Sequence, residues 1–360
     1  MAYTNIDDPS AYFTTTLWTG AGGSPRAITN DANSGNFQPD FVWTKGRNEA
    51  YEHQLYDSSR GAGTTKGLTS NGSTAEGSLS ATYGYLSSFD SNGFTGTAGT
   101  SGQNAYFDTN AKTYVAWQWK ANGGTTSSNT DGSLTSTVQA NQDAGFSIQT
   151  FTGASSGNSN WGHGLGVTPD VFIIKRRDGN GSWWGHWKGT ARTAGSGNNW
   201  EYMGLNQTVA ATSLSTFKAD STTITTSDDF VAPSASYLCY AFAEKQGYSK
   251  FGSYVGNGNA DGTFVYTGFK PAWVMTKEVN AAGAWVMYDN KRSTTSNPQD
   301  KYFSANTADE EATFTQYDFV SNGFKFRTSG SENSSGNKHI YMAFAENPFV
   351  TSTGIPTTAR

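Results

Sequence analysis

Three arginines stand at nearly constant distance from three prolines. Arg60, Arg192 and Arg292 follow Pro39, Pro169 and Pro271 by 21, 23 and 21 residues. A guanidinium is a planar fork suited to a carboxylate or phosphate ligand. Asp57 and Asp289 lie close by in sequence, however, so a loop-tying role is the default reading for this set. The densest aromatic group is Trp183-Trp184-Gly185-His186-Trp187, with Trp161 and His163 upstream. On a strand, Trp184 and His186 share one face while Trp183, Gly185 and Trp187 share the other. One face can then join a core while the other stacks against the C–H face of a sugar. Trp161, Trp183, Trp184, His186 and Trp187 are therefore the candidate glycan-binding residues. Counted from the prolines, Trp184 and Trp187 fall close to Trp285 and Tyr288. Trp183 has no such counterpart and is the freest of the three.

No catalytic constellation emerges. His53, His163, His186 and His339 are scattered, without the spacing of a zinc site on one element. Asn129-Thr130-Asp131-Gly132 and Asn257-Gly258-Asn259-Ala260-Asp261-Gly262 look slightly like calcium loops. They lack the closing bidentate glutamate, so Asx turns are expected there. Glu49, Glu52, Asp309, Glu310 and Glu311 lie in polar stretches as solvated carboxylates do, and supply no clear glycosidase pair. Phosphate-loop and dinucleotide signatures are absent. The single cysteine, Cys239, excludes an internal disulfide and sits in an apolar run as a packed thiol. Neither a cofactor nor a metal is expected, and the chain reads as a non-enzyme.

The elements that must position these residues are short strands. Only 15% of the 360 residues are charged, 14% are aromatic and 42 are glycine. Thr, Ser, Asn and Gly separate brief runs of Val, Ile, Phe, Tyr and Trp, the pattern of an all-β protein with many turns. Phe41 to Lys45, Val171 to Lys175 and Trp273 to Lys277 are nearly continuous apolar runs, as in a strand covered on both faces. Ser91-Asn92-Gly93 and Ser321-Asn322-Gly323 predict Asn-Gly hairpin turns. Ala308 to Phe314 is the one place where a helical turn is expected. A formal charge of −5 without a long basic cluster gives no footprint for nucleic acid. No stretch of eighteen apolar residues predicts a membrane span, and the first residues lack the features of a signal peptide.

The prolines mark a framework that recurs three times. Each unit opens on a strand ending in glycine (Gly20, Gly153, Gly256) and closes on an aromatic strand containing Ala116, Ala241 or Ala343. Three tandem β-sandwich units of jelly-roll type are expected: residues 1–121, 144–246 and 247–360, the last with a C-terminal tail. Residues 122–143 read as a flexible Gly/Ser/Thr/Asn linker that leaves the first unit hinged, while the second and third pack closely. Trp43, Ile173 and Val274, with the three alanines, are the expected core.

At these signatures the chain resembles a repeat domain common in virion proteins of marine tailed bacteriophages. Asp261-Gly262-Thr263-Phe264-Val265-Tyr266-Thr267-Gly268-Phe269-Lys270-Pro271-Ala272-Trp273-Val274-Met275 carries the resemblance most clearly, together with Gly247 to Tyr254 and Tyr341 to Phe349. The resemblance implies a virion structural protein, a tail-fibre or host-attachment component, made in the host cytoplasm and released by lysis. It implies other virion proteins and a host surface glycan as partners, in a homo-oligomer, by analogy a trimer. A capsid decoration or head-fibre protein is the alternative, and a polysaccharide-degrading tailspike a second one.

Overall fold

The computed structural model describes residues 4–30, 37–190, 200–214 and 216–357. The protein is all-β. Among the described residues the helices are one four-residue turn, Ser80–Tyr83, and the 3₁₀ turns Pro9–Ala11 and Ser331–Asn333.

The same four-strand order occurs three times. Opening strand, closing strand, proline strand and following strand lie side by side as Phe13–Thr19, Thr113–Trp119, Phe41–Gly46 and Gln54–Asp57. The second set is Phe146–Thr152, Ser236–Phe242, Val171–Arg176 and Trp184–Trp187, and the third is Ser249–Val255, Lys338–Pro348, Phe269–Glu278 and Val286–Asp289. Register makes the prolines equivalent. The residue two after each one faces the same place on its closing strand: Phe41 opposite Trp119, Val171 opposite Phe242, Trp273 opposite Phe344. Across each outer face lies a shorter cover. It is a separate three-stranded sheet in the first two cases, and in the third a continuation of the main sheet.

Alternation along these strands splits the side chains between two kinds of core. Phe41, Trp43, Trp117, Val171, Ile173, Tyr240, Trp273, Met275 and Met342 point to one shared central core. Val42 and Ala116, Phe172 and Ala241, and Val274 and Ala343 point to three separate outer cores under the covers. This is why the proline strands are apolar on both faces, and all six expected core residues are buried.

Three expectations change. The first sheet is not hinged, because the central core draws on all three sheets and buried bonds reach from the first sheet to both others. The expected flexible linker contains Ser127–Asn129 and Ser136–Asn141, which extend the second sheet, and its Gln139 is fully buried. The segment expected to turn helical runs instead into the strand Ala312–Val320, and the Glu311 N–H, which a helix would turn inward, donates to the Arg47 carbonyl at 2.7 Å. The Asn-Gly hairpins form where expected, with Asp90 opposite Gly93 and Val320 opposite Gly323.

Candidate functional site

The recurrent arginine is a structural clamp. Arg60 is fully buried in its side chain. Its Nε lies 2.5 Å from Asp57 Oδ2, and it also donates to the Lys66 carbonyl and to Glu76. Arg292 repeats this with Asp289 at 2.6 Å and Glu311 at 3.1 Å. Arg192 lies outside the described residues. Each aspartate also ties two sheets together: Asp57 accepts the Tyr240 hydroxyl at 2.8 Å, and Asp289 accepts the Trp117 indole N–H at 2.9 Å. The acidic partners are shared across sheets too, since Glu76 takes a bidentate pair from Arg177 and Glu311 one from Arg47. At the third junction Val279 stands eight residues after its proline, as Arg47 and Arg177 do, and Trp187 takes the aspartate's place in register. The equivalent backbone bond survives there, Ala211 N–H to the Val279 carbonyl at 2.9 Å, between apolar side chains.

The same ring of contacts disposes of most of the tryptophan cluster. Trp183, Trp187 and Trp161 have no exposed surface worth a sugar, at 0% each. Trp183 is not free: His53, Trp183 and Trp285 each stand fourteen residues after their proline. Each backbone N–H of these three donates to an asparagine side chain, Asn71, Asn206 or Asn306. Each side chain then reaches the neighbouring sheet: Trp183 donates to the Thr69 carbonyl at 2.8 Å, Trp285 to that of Gly204 at 2.9 Å, and His53 Nε2 to that of Ser304 at 3.2 Å. Trp187 packs against Trp285, ring centroids 4.4 Å apart, and Trp161 stacks on Phe151. Only Trp184 and His186 remain half-buried. Trp184 lies edge-on to Tyr202 and Phe230, and His186 donates from Nδ1 to the Glu201 carbonyl at 2.8 Å.

Burial holds the imidazoles neutral. It lowers His53 and His163 below the usual range and brings His186 down to about 4. Cys239 is buried and its thiol is pushed well up by desolvation. Among the described residues no group of three or more His, Cys, Asp or Glu is placed to hold a metal. The two calcium-like loops form Asx turns, with Asn129 Oδ1 accepting the Asp131 N–H and Asn257 Oδ1 accepting the Asn259 N–H. None of the described helices is long and apolar enough to cross a membrane.

Sequence reasoning passed over the lysines that end the proline strands. Lys45, Lys175 and Lys277 point inward and are at most 1% exposed. Each ammonium donates to backbone carbonyls, Gly46 and Glu49, Ser73 and Arg176, Glu278 and Ala281. Desolvation lowers all three from 10.5 to about 8. The folded protein therefore releases these protons before the unfolded chain does. Their unfavourable contribution is complete below pH 8 and is relieved as pH rises towards 10.5. Stability should increase between pH 8 and 9.5, by on the order of 1 kcal/mol per lysine. Urea midpoints across that window measure it, and Lys277→Met should remove about a third of the rise. A flat profile would mean that the amines stay charged at no cost.

A cavity within the ligand-sized range opens on the outer face of the third sheet. It measures about 360 Å³, and its lining includes Glu278, Glu332, His339, Tyr302, Phe314 and Val286. Glu278 Oε1 accepts from the Asn337 amide at 2.7 Å and Glu332 Oε2 from the Gln316 amide at 3.0 Å. Neither glutamate stood out in the sequence: Glu278 is a lone acid ending a strand and Glu332 one inside a short 3₁₀ turn.

Fold and cavity define an all-β protein whose recurrent polar residues build its frame, with a ligand-sized opening on the outer face of the third sheet. The chain belongs to the family called Domain of unknown function (DUF7483), whose model matches residues 8–348. No curated protein and no solved structure matches it.

Proposed function

We propose that the chain is a non-enzymatic structural protein displayed on a bacteriophage virion, in the tail-fibre or host-attachment apparatus. The observation that carries this reading is the direction in which the recurrent chemistry points. Arginine, aspartate, lysine and indole groups that recur by register are buried and bond sheet to sheet. An enzyme keeps its acids, bases and nucleophiles within reach of a substrate. This framework uses them as fasteners and leaves its loops as the variable exterior, the usual place of recognition on a rigid β-scaffold. The resemblance of Asp261 to Met275 to phage virion repeat domains supports the location. Partners are then other virion proteins and a host surface glycan, with oligomerisation raising avidity by ~10²–10⁴.

A polysaccharide-degrading tailspike fits less well. Glu278 and Glu332 do line one cavity, but each is already engaged by a side-chain amide, Asn337 for Glu278 and Gln316 for Glu332. Electron microscopy of virions decorated with gold-labelled antibody to this chain tests the placement. Gold at the tail is the expected result. Gold distributed over the head would transfer the protein to the capsid-decoration reading, and unlabelled virions would overturn both.

A further inference from the structure

The cavity of the third sheet occupies a place that the other two sheets fill with aromatic rings. Val286 faces Thr276 in register as Trp184 faces Ile174 and Gln54 faces Thr44. Tyr302 likewise corresponds to Tyr202, because Ser304 faces Val286 as Gly204 faces Trp184. In the second sheet the Trp184 indole lies edge-on to Tyr202 at 5.5 Å. In the first sheet Tyr51, twelve residues after Pro39, packs edge-on against Tyr106 at 6.2 Å. The position twelve residues after Pro271 is Gly283, and next to it stands Ala284. The third sheet thus has neither the first sheet's tyrosine at the Gly283 place nor the second sheet's tryptophan at the Val286 place, and the space above Tyr302 stays open.

What surrounds that space selects a chemistry. Tyr302 stacks on Tyr288 at 5.7 Å and Phe314 is 45% exposed at the rim, so one side is aromatic. The other side carries the Glu278 and Glu332 carboxylates, and no lysine or arginine lines the cavity among the described residues. Burial lowers His339 below the ordinary imidazole value, which disfavours a positive charge there. Its ring nitrogens already face the Asn337 and Ser331 carbonyls. Carboxylates accept hydrogen bonds from hydroxyl and ammonium groups, and aromatic faces pack on C–H surfaces and attract cations. The volume is at the lower end of the range for small-molecule sites.

We propose that this cavity binds a neutral or amine-bearing sugar residue and rejects acidic sugars. This ligand class rests on the host-attachment reading above. The probes are the methyl glycosides of glucosamine, glucose and glucuronic acid, observed by saturation-transfer NMR on the full chain at pH 7 and low salt. The glucosaminide should bind most tightly, the glucoside next, and the glucuronide at least tenfold more weakly. Val286→Trp introduces the second sheet's residue and Gly283→Tyr the first sheet's. Each should reduce binding at least tenfold while leaving the thermal transition in place. Glu278→Gln should remove the preference for the amine. Unchanged binding by either folded filled variant, equal binding of the glucuronide, or no binding of any probe by the wild type would overturn the site. Host-cell adsorption of Val286→Trp is measured separately. If it loses the sugar but adsorbs fully, the site stands and its part in attachment falls.

Discussion

Replacing Asp57 by alanine should lower stability by about 3–5 kcal/mol, the usual cost of removing one partner from a buried ion pair. Asp57 and Arg60 are both without exposed side-chain surface. Without the carboxylate, the guanidinium loses its contact at Nε, the Arg60 N–H loses its acceptor at 2.9 Å, and the Tyr240 hydroxyl is left facing an apolar gap. Glu76, with its side chain 15% exposed, and the Lys66 carbonyl remain, but water cannot enter to replace what is lost. The second sheet fills the aspartate's place with an uncharged side chain, because Trp187 occupies the register position of Asp57 and Asp289. The double substitution Asp57→Ala with Arg60→Met should therefore be less damaging than Asp57→Ala alone. Asp289→Ala should behave like Asp57→Ala, stranding Arg292 and the Trp117 indole N–H. Urea unfolding with an unchanged slope measures these losses. A loss below about 1 kcal/mol, typical of surface pairs, would show that the pair is solvated after all.

Alanine at Gly20, Gly153 or Gly256 should cost about 3 kcal/mol, the upper part of the range for overpacking. These glycines directly follow the three opening strands. A β-carbon would meet the Thr109 carbonyl oxygen at 2.0 Å, that of Ala232 at 2.4 Å and that of Ser334 at 2.3 Å. The obstacle is backbone, which cannot swing aside as a side chain does. Retreat is also blocked, because each glycine N–H donates to the loop before its closing strand, at Lys112, Ala235 and Asn337. Gly46 supplies the control, since a β-carbon there would touch only atoms at 3.5 Å or beyond. Gly46→Ala should change stability by less than 1 kcal/mol. Equal effects at Gly46 and Gly20 would mean that backbone freedom, not close approach, explains the three glycines.

One alignment error shows how far pattern reading reaches. The closing strands look alike through Tyr-Val-Ala-Trp, Cys-Tyr-Ala-Phe and Tyr-Met-Ala-Phe, which suggests that Ala116 matches Ala241 and Ala343. Register instead places Gln118 opposite Val42, as Ala241 is opposite Phe172 and Ala343 opposite Val274. Cys239 accordingly matches Ala116 and Tyr341, not Tyr114. The slip is two residues, the full period of a strand, so the expected faces and burial were unaffected. Trp43 and Ile173 likewise match Met275, while Val274 lies on the opposite face and is buried under its cover.

The amino-acid sequence by itself determined the all-β class, the positions of the proline strands and the Asn-Gly hairpins, because these follow from period-two patterning and turn chemistry within a few residues. It also placed Arg60 and Arg292 beside the aspartates that bind them. Only the tertiary structure decided which tryptophans serve the interior. Both faces of the strand at Trp183–Trp187 are covered, and nothing local distinguishes a face turned to a neighbouring sheet from one turned to a ligand. Bonds such as Trp117 to Asp289, 172 residues apart, join groups that carry no sign of each other in the chain. The cavity beside Val286 is of the same kind: small residues become an opening only where equivalent strands elsewhere in the fold place an indole or a phenol.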